Sequence, residues 1–133
     1  MGDMEEFEIG NGLRYVHNDV HRNQTPDKGQ WTIAKEEERA SFKTSFDEKW
    51  LESTEGWGIH IVSNKADYLG TDRNGNLAFF AVFIDKNTSG IWHGFPATPL
   101  DSPSPNVIKS WLNKGLVRKK ALKLLTMGQS CNL

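Results

Sequence analysis

The longest unbroken apolar stretch of the chain is LAFFAVFI, residues 77–84. It lacks the alternation of a half-buried strand, so it predicts a central strand covered on both faces, with a helix on at least one side. Around it the pattern is one of short strands. In GWGIHIVS, Trp57, Ile59 and Ile61 fall on one face and Gly58, His60 and Val62 on the other. In EFEIGNGLRYV, Phe7, Ile9, Leu13 and Tyr15 flank Gly10-Asn11-Gly12, which predicts two strands about a turn. A strand at Tyr68 and Leu69, turns at 72–76 and 85–90, and a strand at 91–93 complete a meander.

Helical spacing occurs in three places. FKTSFDEKWLES sets Phe42, Phe46 and Trp50 four apart, and Ser45 with Glu48 has the spacing of a capping box, which predicts a helix over 45–54. The upstream AKEEERAS can extend that helix, in which case Thr44 and Ser45 become interior. After PATPLDSPSP, an extended connector over 97–105, Ser104 and Pro105 open a helix with Val107, Ile108, Trp111 and Leu112 on one face, stopped by Gly115. VRKKALKLLTM forms a second, with Val117, Ala121, Leu124 and Leu125 inward, stopped by Gly128. The polar stretch HNDVHRNQTPDKG, residues 17–29, reads as an exposed loop.

The fold class expected is α+β: an antiparallel sheet of about four to six strands, one helix in the N-terminal half, and a C-terminal helical hairpin packed on the sheet. At 133 residues, 37% hydrophobic and 25% charged, with five Trp and seven Phe, residues 1–133 are expected to form one domain ending in the helix pair at 105–127. A single cysteine, Cys131, rules out an intrachain disulfide, a CxxC pair or an all-cysteine zinc site and favours a reducing compartment. The acidic N-terminus has no apolar h-region, Glu6 stands where a myristoylation signal has Ser or Thr, and no apolar run is long enough to span a bilayer. A cytoplasmic protein without a membrane partner is the expectation.

Charge is unevenly spread. Residues 1–66 carry thirteen acidic and eight basic side chains, whereas residues 67–133 carry four and eight. No acidic residue follows Asp101, while Lys109, Lys114, Arg118, Lys119, Lys120 and Lys123 do. Lys109, Arg118, Lys119, Lys120 and Lys123 on two helices joined at a Gly turn present the footprint of a polyanion or DNA-binding surface, or else the solvated face of a packed helix pair.

Four other arrangements can carry chemistry. His60 and His93 lie on strands, and two imidazoles on neighbouring strands can serve as general base and acid on a phosphodiester, with Asp85 orienting one of them. Trp92 and Phe95 around His93-Gly94 can form an aromatic lip, and Trp31 with them is a candidate hot spot for a protein partner or a second copy of the chain. His17 and His21 are spaced as metal ligands, with Asp19 near, but HNDVH lacks the Glu of a zincin and a helix to hold it, so no metal site is expected. TDRNGN departs from a calcium loop at Gly70 and Ala81 and reads as a hairpin turn. No nucleophile elbow or phosphate-binding P-loop occurs, and no cofactor is expected. The pattern favours a small binding module for a protein or polyanion, with a metal-independent acid–base hydrolase or nuclease using His60 and His93 as the alternative.

Overall fold

The structure is a computed structural model that describes residues 6–130 and 132–133; Cys131 lies outside them. Among the described residues the strands are β1 (Glu6–Gly10), β2 (Leu13–Val16), β3 (Gln30–Trp31), β4 (Leu51–Glu52), β5 (Glu55–Val62), β6 (Lys65–Asp67), β7 (Gly70–Thr71), β8 (Leu77–Ala78), β9 (Phe80–Ile84) and β10 (Ile91–Pro96). The helices are α1 (Lys35–Asp47), α2 (Pro105–Asn113) and α3 (Lys119–Thr126). None of them is long and apolar enough to cross a membrane.

The α+β fold is present. The main sheet has the order β1-β2-β10-β9-β5-β4, with β6 paired to β5, and β3-β7-β8 form a smaller sheet. The strand count exceeds expectation because the short strands β3, β4 and β6 are added and because LAFFAVFI is shared: β8 joins the small sheet, the chain bends at Phe79, and β9 becomes an inner strand of the main one. The main sheet is not wholly antiparallel either. β2 and β10 run parallel, since the long excursion between them lets β10 return beside β2 in the same direction.

Register fixes which side chains share a face. His93 and Phe95 stand level with Ile84 and Val82, and these with Glu55 and Trp57. With Phe80 and Ile59 they belong to the face on which Val107, Trp111, Val117, Ala121, Leu122 and Leu125 of α2, α3 and their link pack. The opposite face presents Trp92, Gly94, Phe83, Ala81 and Gly58 to α1 through Phe42 and Tyr15. Gly58 permits that approach: a Cβ there would sit 2.6 Å from the Phe83 ring and 3.2 Å from the Ser41 carbonyl.

Expectations for the helices and their connector change in several places. α1 begins at Lys35 and ends at Asp47, so the helix expected over 45–54 lies ten residues upstream at its start, and Trp50 is buried beyond its end. Ser45 is interior, and its hydroxyl donates to the Ser41 carbonyl instead of capping. The connector is not wholly extended, because Pro99–Asp101 forms a 3-10 turn with Pro99 in the first position, where a missing N–H costs nothing. Ser104 does precede α2, but its hydroxyl donates to Glu52, and Leu112 is exposed.

Candidate functional site

The loop expected to be exposed is instead a scaffold. Asn18 Oδ1 accepts from the Val20 N–H and starts a short 3-10 turn, Asp19–His21. The buried Gln30 side chain then holds the loop from within: Oε1 accepts from the Gln24 N–H at 2.9 Å, and Nε2 donates to the Val20 and Lys28 carbonyls at 2.8 and 3.3 Å. Gly29 lets this loop lie against the end of β10, since a Cβ there would come within 2.5 Å of the Pro96 carbonyl.

His17 and His21, at the two ends of HNDVH, are both buried and do not converge. Arg39 donates to His17 Nε2 at 3.0 Å, so the His17 proton is on Nδ1, which lies 3.0 Å from Glu38 Oε1 but is not aligned with it as a hydrogen bond. Glu38 also accepts from the Tyr15 hydroxyl and from Arg22 at 2.7 Å. Burial alone would raise the Glu38 pKa, but His17 beside it and the bonds from Tyr15 and Arg22 outweigh it and hold the carboxyl below its ordinary value. Among the described residues no group of three or more His, Cys, Asp or Glu is placed to share a metal ion.

His21 goes elsewhere. Its Nδ1 donates to the Gly29 carbonyl at 2.9 Å, which leaves the lone pair on Nε2, and its ring stacks on Phe95 at 5.4 Å. His21 and His93 line one cavity of about 300 Å³ together with Phe95, Thr98, Lys28 and Arg73. Burial lowers the pKa of both imidazoles. For His93, the neighbouring His21 and then Lys86 add to that effect, while Asp85 opposes it weakly. For His21, the bond to Gly29 opposes burial and Lys28 adds to it. His93 Nδ1 is buried without a hydrogen-bond partner in the protein. Two carboxylates, Asp27 and Asp101, also line the cavity; Asp101 is occupied by the Thr98 N–H and hydroxyl at 3.0 and 3.1 Å.

The expected pairing of His60 with His93 is not formed. His60 follows Gly58 on the α1 face, opposite to His93, and lines a separate cavity with Glu37, Ser41 and Thr44, its Nε2 3.6 Å from Glu37. Asp85 does not orient a histidine: its two carboxylate oxygens accept from the Ser89 and Gly90 N–H groups and fasten the β9–β10 turn. The aromatic lip divides. Phe95 faces the cavity, whereas Trp92 is buried against Phe42 on the other side of the sheet. Trp31 is buried too, donating to the Gly94 carbonyl, so neither tryptophan is available as a hot spot. Lys109, Arg118, Lys119, Lys120 and Lys123 are all exposed.

Sequence reasoning weighed His21 only as a metal ligand with His17, and missed Lys28, Arg73 and Thr98. The available signal was the length of the polar loop, since a long connection without regular structure in a compact chain is commonly a functional loop. Compared with family models, curated proteins and solved structures, the chain matches none.

Proposed function

We propose that the His21–His93 cavity binds a phosphate-bearing ligand and that the two imidazoles carry out metal-independent acid–base chemistry on its phosphodiester. The observation that supports this reading is the pairing itself. One imidazole has its tautomer set by a backbone carbonyl, the other has an unpartnered ring nitrogen, and both line one cavity that Lys28 and Arg73 also line. The free cavity favours neutral rings; an entering anion favours protonating one of them, which supplies the acid where the base is already present. His21 Nε2 takes the proton of the attacking hydroxyl as the new P–O bond forms, and protonated His93 delivers its proton to the oxygen leaving phosphorus. Lys28 and Arg73 balance the charge on the phosphoryl oxygens, and Phe95, stacked on His21, holds that imidazole in place.

The test is hydrolysis of an activated phosphodiester and cleavage of a ribodinucleotide by the wild type, H21A and H93A. Each substitution is expected to lower the rate by about 10²–10⁴-fold. Wild-type rates in both variants would remove the reading.

A second reading keeps the interaction module. Lys109, Lys119, Lys120 and Lys123 have no carboxylate within 4.0 Å among the described residues, which supports a sequence-independent polyanion surface on α2 and α3. Its binding to single- or double-stranded DNA, read by fluorescence anisotropy, should weaken steeply with salt; no binding at low salt would end it. The single cysteine supports a reducing compartment such as the cytoplasm.

A further inference from the structure

The His21–His93 cavity has a neighbour on the other side of His93. His93 and Asn18 also line a second compartment of about 430 Å³, bounded by Val16 and Ile91 on the sheet, by Lys86, Asn87 and Ser89 of the β9–β10 turn, and by Glu6, whose carboxylate is paired with Arg14 at 2.9 Å. The two compartments therefore meet at His93. Val16, Ile91, His93 and Phe95 lie on the sheet face that α2 and α3 cover, but toward the β2–β10 side. Lys86 is exposed and close enough for its charge to act on His93.

From this geometry we infer that the ligand is a single-stranded oligonucleotide that passes over His93, with one nucleotide in each compartment. The inference rests on the phosphodiester reading above and extends it. Each compartment combines an apolar floor for a base with a cation for a phosphate. On one side these are Phe95 with Lys28 and Arg73; on the other, Val16 and Ile91 with Lys86, Asn87 and Ser89 supplying hydrogen bonds. The shared wall puts the phosphodiester between the two nucleotides beside His93, where the proposed proton transfer takes place. A mononucleotide fills one compartment and leaves the other to water.

The experiment measures binding of uridine monophosphate, a triuridylate and its deoxy counterpart by calorimetry, to the wild type and to K86E. Lys86 is exposed and unpaired among the described residues, so its substitution does not threaten the fold. The trinucleotides are expected to bind the wild type at least about tenfold more tightly than the mononucleotide, and K86E to reduce that advantage to near unity. Equal binding by both lengths, or an unchanged advantage in K86E, overturns the two-compartment site while leaving the phosphate site standing. If neither length binds at all, both the two-compartment site and the phosphate site fall. Cleavage of the ribo strand with binding alone of the deoxy strand would assign the attacking hydroxyl to the 2′ position.

Discussion

The chain builds two polar centres from the ends of one pentapeptide, and they are opposites. Around Glu38, protein groups close on one carboxylate: the Tyr15 hydroxyl and Arg22 donate to it, Arg39 donates to the far nitrogen of His17, and His17 Nδ1 stands 3.0 Å from Glu38 Oε1 without making an aligned hydrogen bond. Around His93, a buried nitrogen has no partner and the neighbouring imidazole carries a lone pair on Nε2. Burial of a histidine therefore does not distinguish structure from function. What distinguishes them is what the rings face: Arg39 and Glu38 stand against the two nitrogens of His17, whereas His21 and His93 face a cavity.

The comparison breaks most visibly at Glu38. Replacing it with Ala leaves the Arg22 guanidinium and the Tyr15 hydroxyl without their partner in a site where the carboxylate is 1% exposed. A loss of about 3–5 kcal/mol is expected, read as a lower urea midpoint with unchanged m-value. A loss under 1 kcal/mol would mean the centre is not the closed network described. Gly29→Ala comes next. Its methyl group meets the Pro96 carbonyl, which forces the loop off β10 at a cost of about 1–3 kcal/mol. Because His21 is bonded to that same residue, phosphate binding should fall along with stability, and retention of full binding would show that the loop does not position His21.

At His93 the expected effect on folding is smaller and has no preferred sign. His93→Leu removes an unpartnered buried nitrogen and keeps the apolar contact, so stability should change by less than about 1 kcal/mol in either direction. Large destabilisation would place His93 with Glu38 as a structural group.

Where the sequence was legible, the reason is visible in individual residues. α2 and α3 end at Gly115 and Gly128, both left-handed, with Leu116 and Gln129 N–H groups donating back to Trp111 and Leu124. α1 closes in the same manner, Trp50 donating to Ser45, but the left-handed residue is Lys49, which carries no stop signal. Its true start was equally disguised, because Ala34 offers no side-chain cap and only the Glu37 carboxylate reaches back to the Ala34 N–H. The Ser45–Glu48 spacing thus stood out although it belongs to the end of the helix. The site failed for a different reason. His60 and His93 are each on a strand as expected, yet the face each takes follows from pairing registers that join β5, β9 and β10. His21 depends on Gln30 and on the approach of Gly29 to Pro96, contacts that no local pattern encodes.

The finest separation of the two centres is by pH. In the unfolded chain a histidine takes up its proton near pH 6.5, and a glutamate near 4.3. His21 and His93 have lowered pKa values in the folded protein, so as pH falls below about 6.5 the unfolded state binds protons that the folded state refuses, and stability declines. Glu38 also has a lowered pKa, but its contribution is complete above about pH 4.3 and is lost only as pH falls through the folded value. Urea midpoints between about pH 7 and 5 should therefore decline in the wild type and decline less in H93L, because the contribution of His93 to that decline is removed. An identical slope in both proteins would contradict the burial assigned to His93. Added sulfate should flatten the wild-type slope, since an anion held between the imidazoles, Lys28 and Arg73 restores the protonated rings.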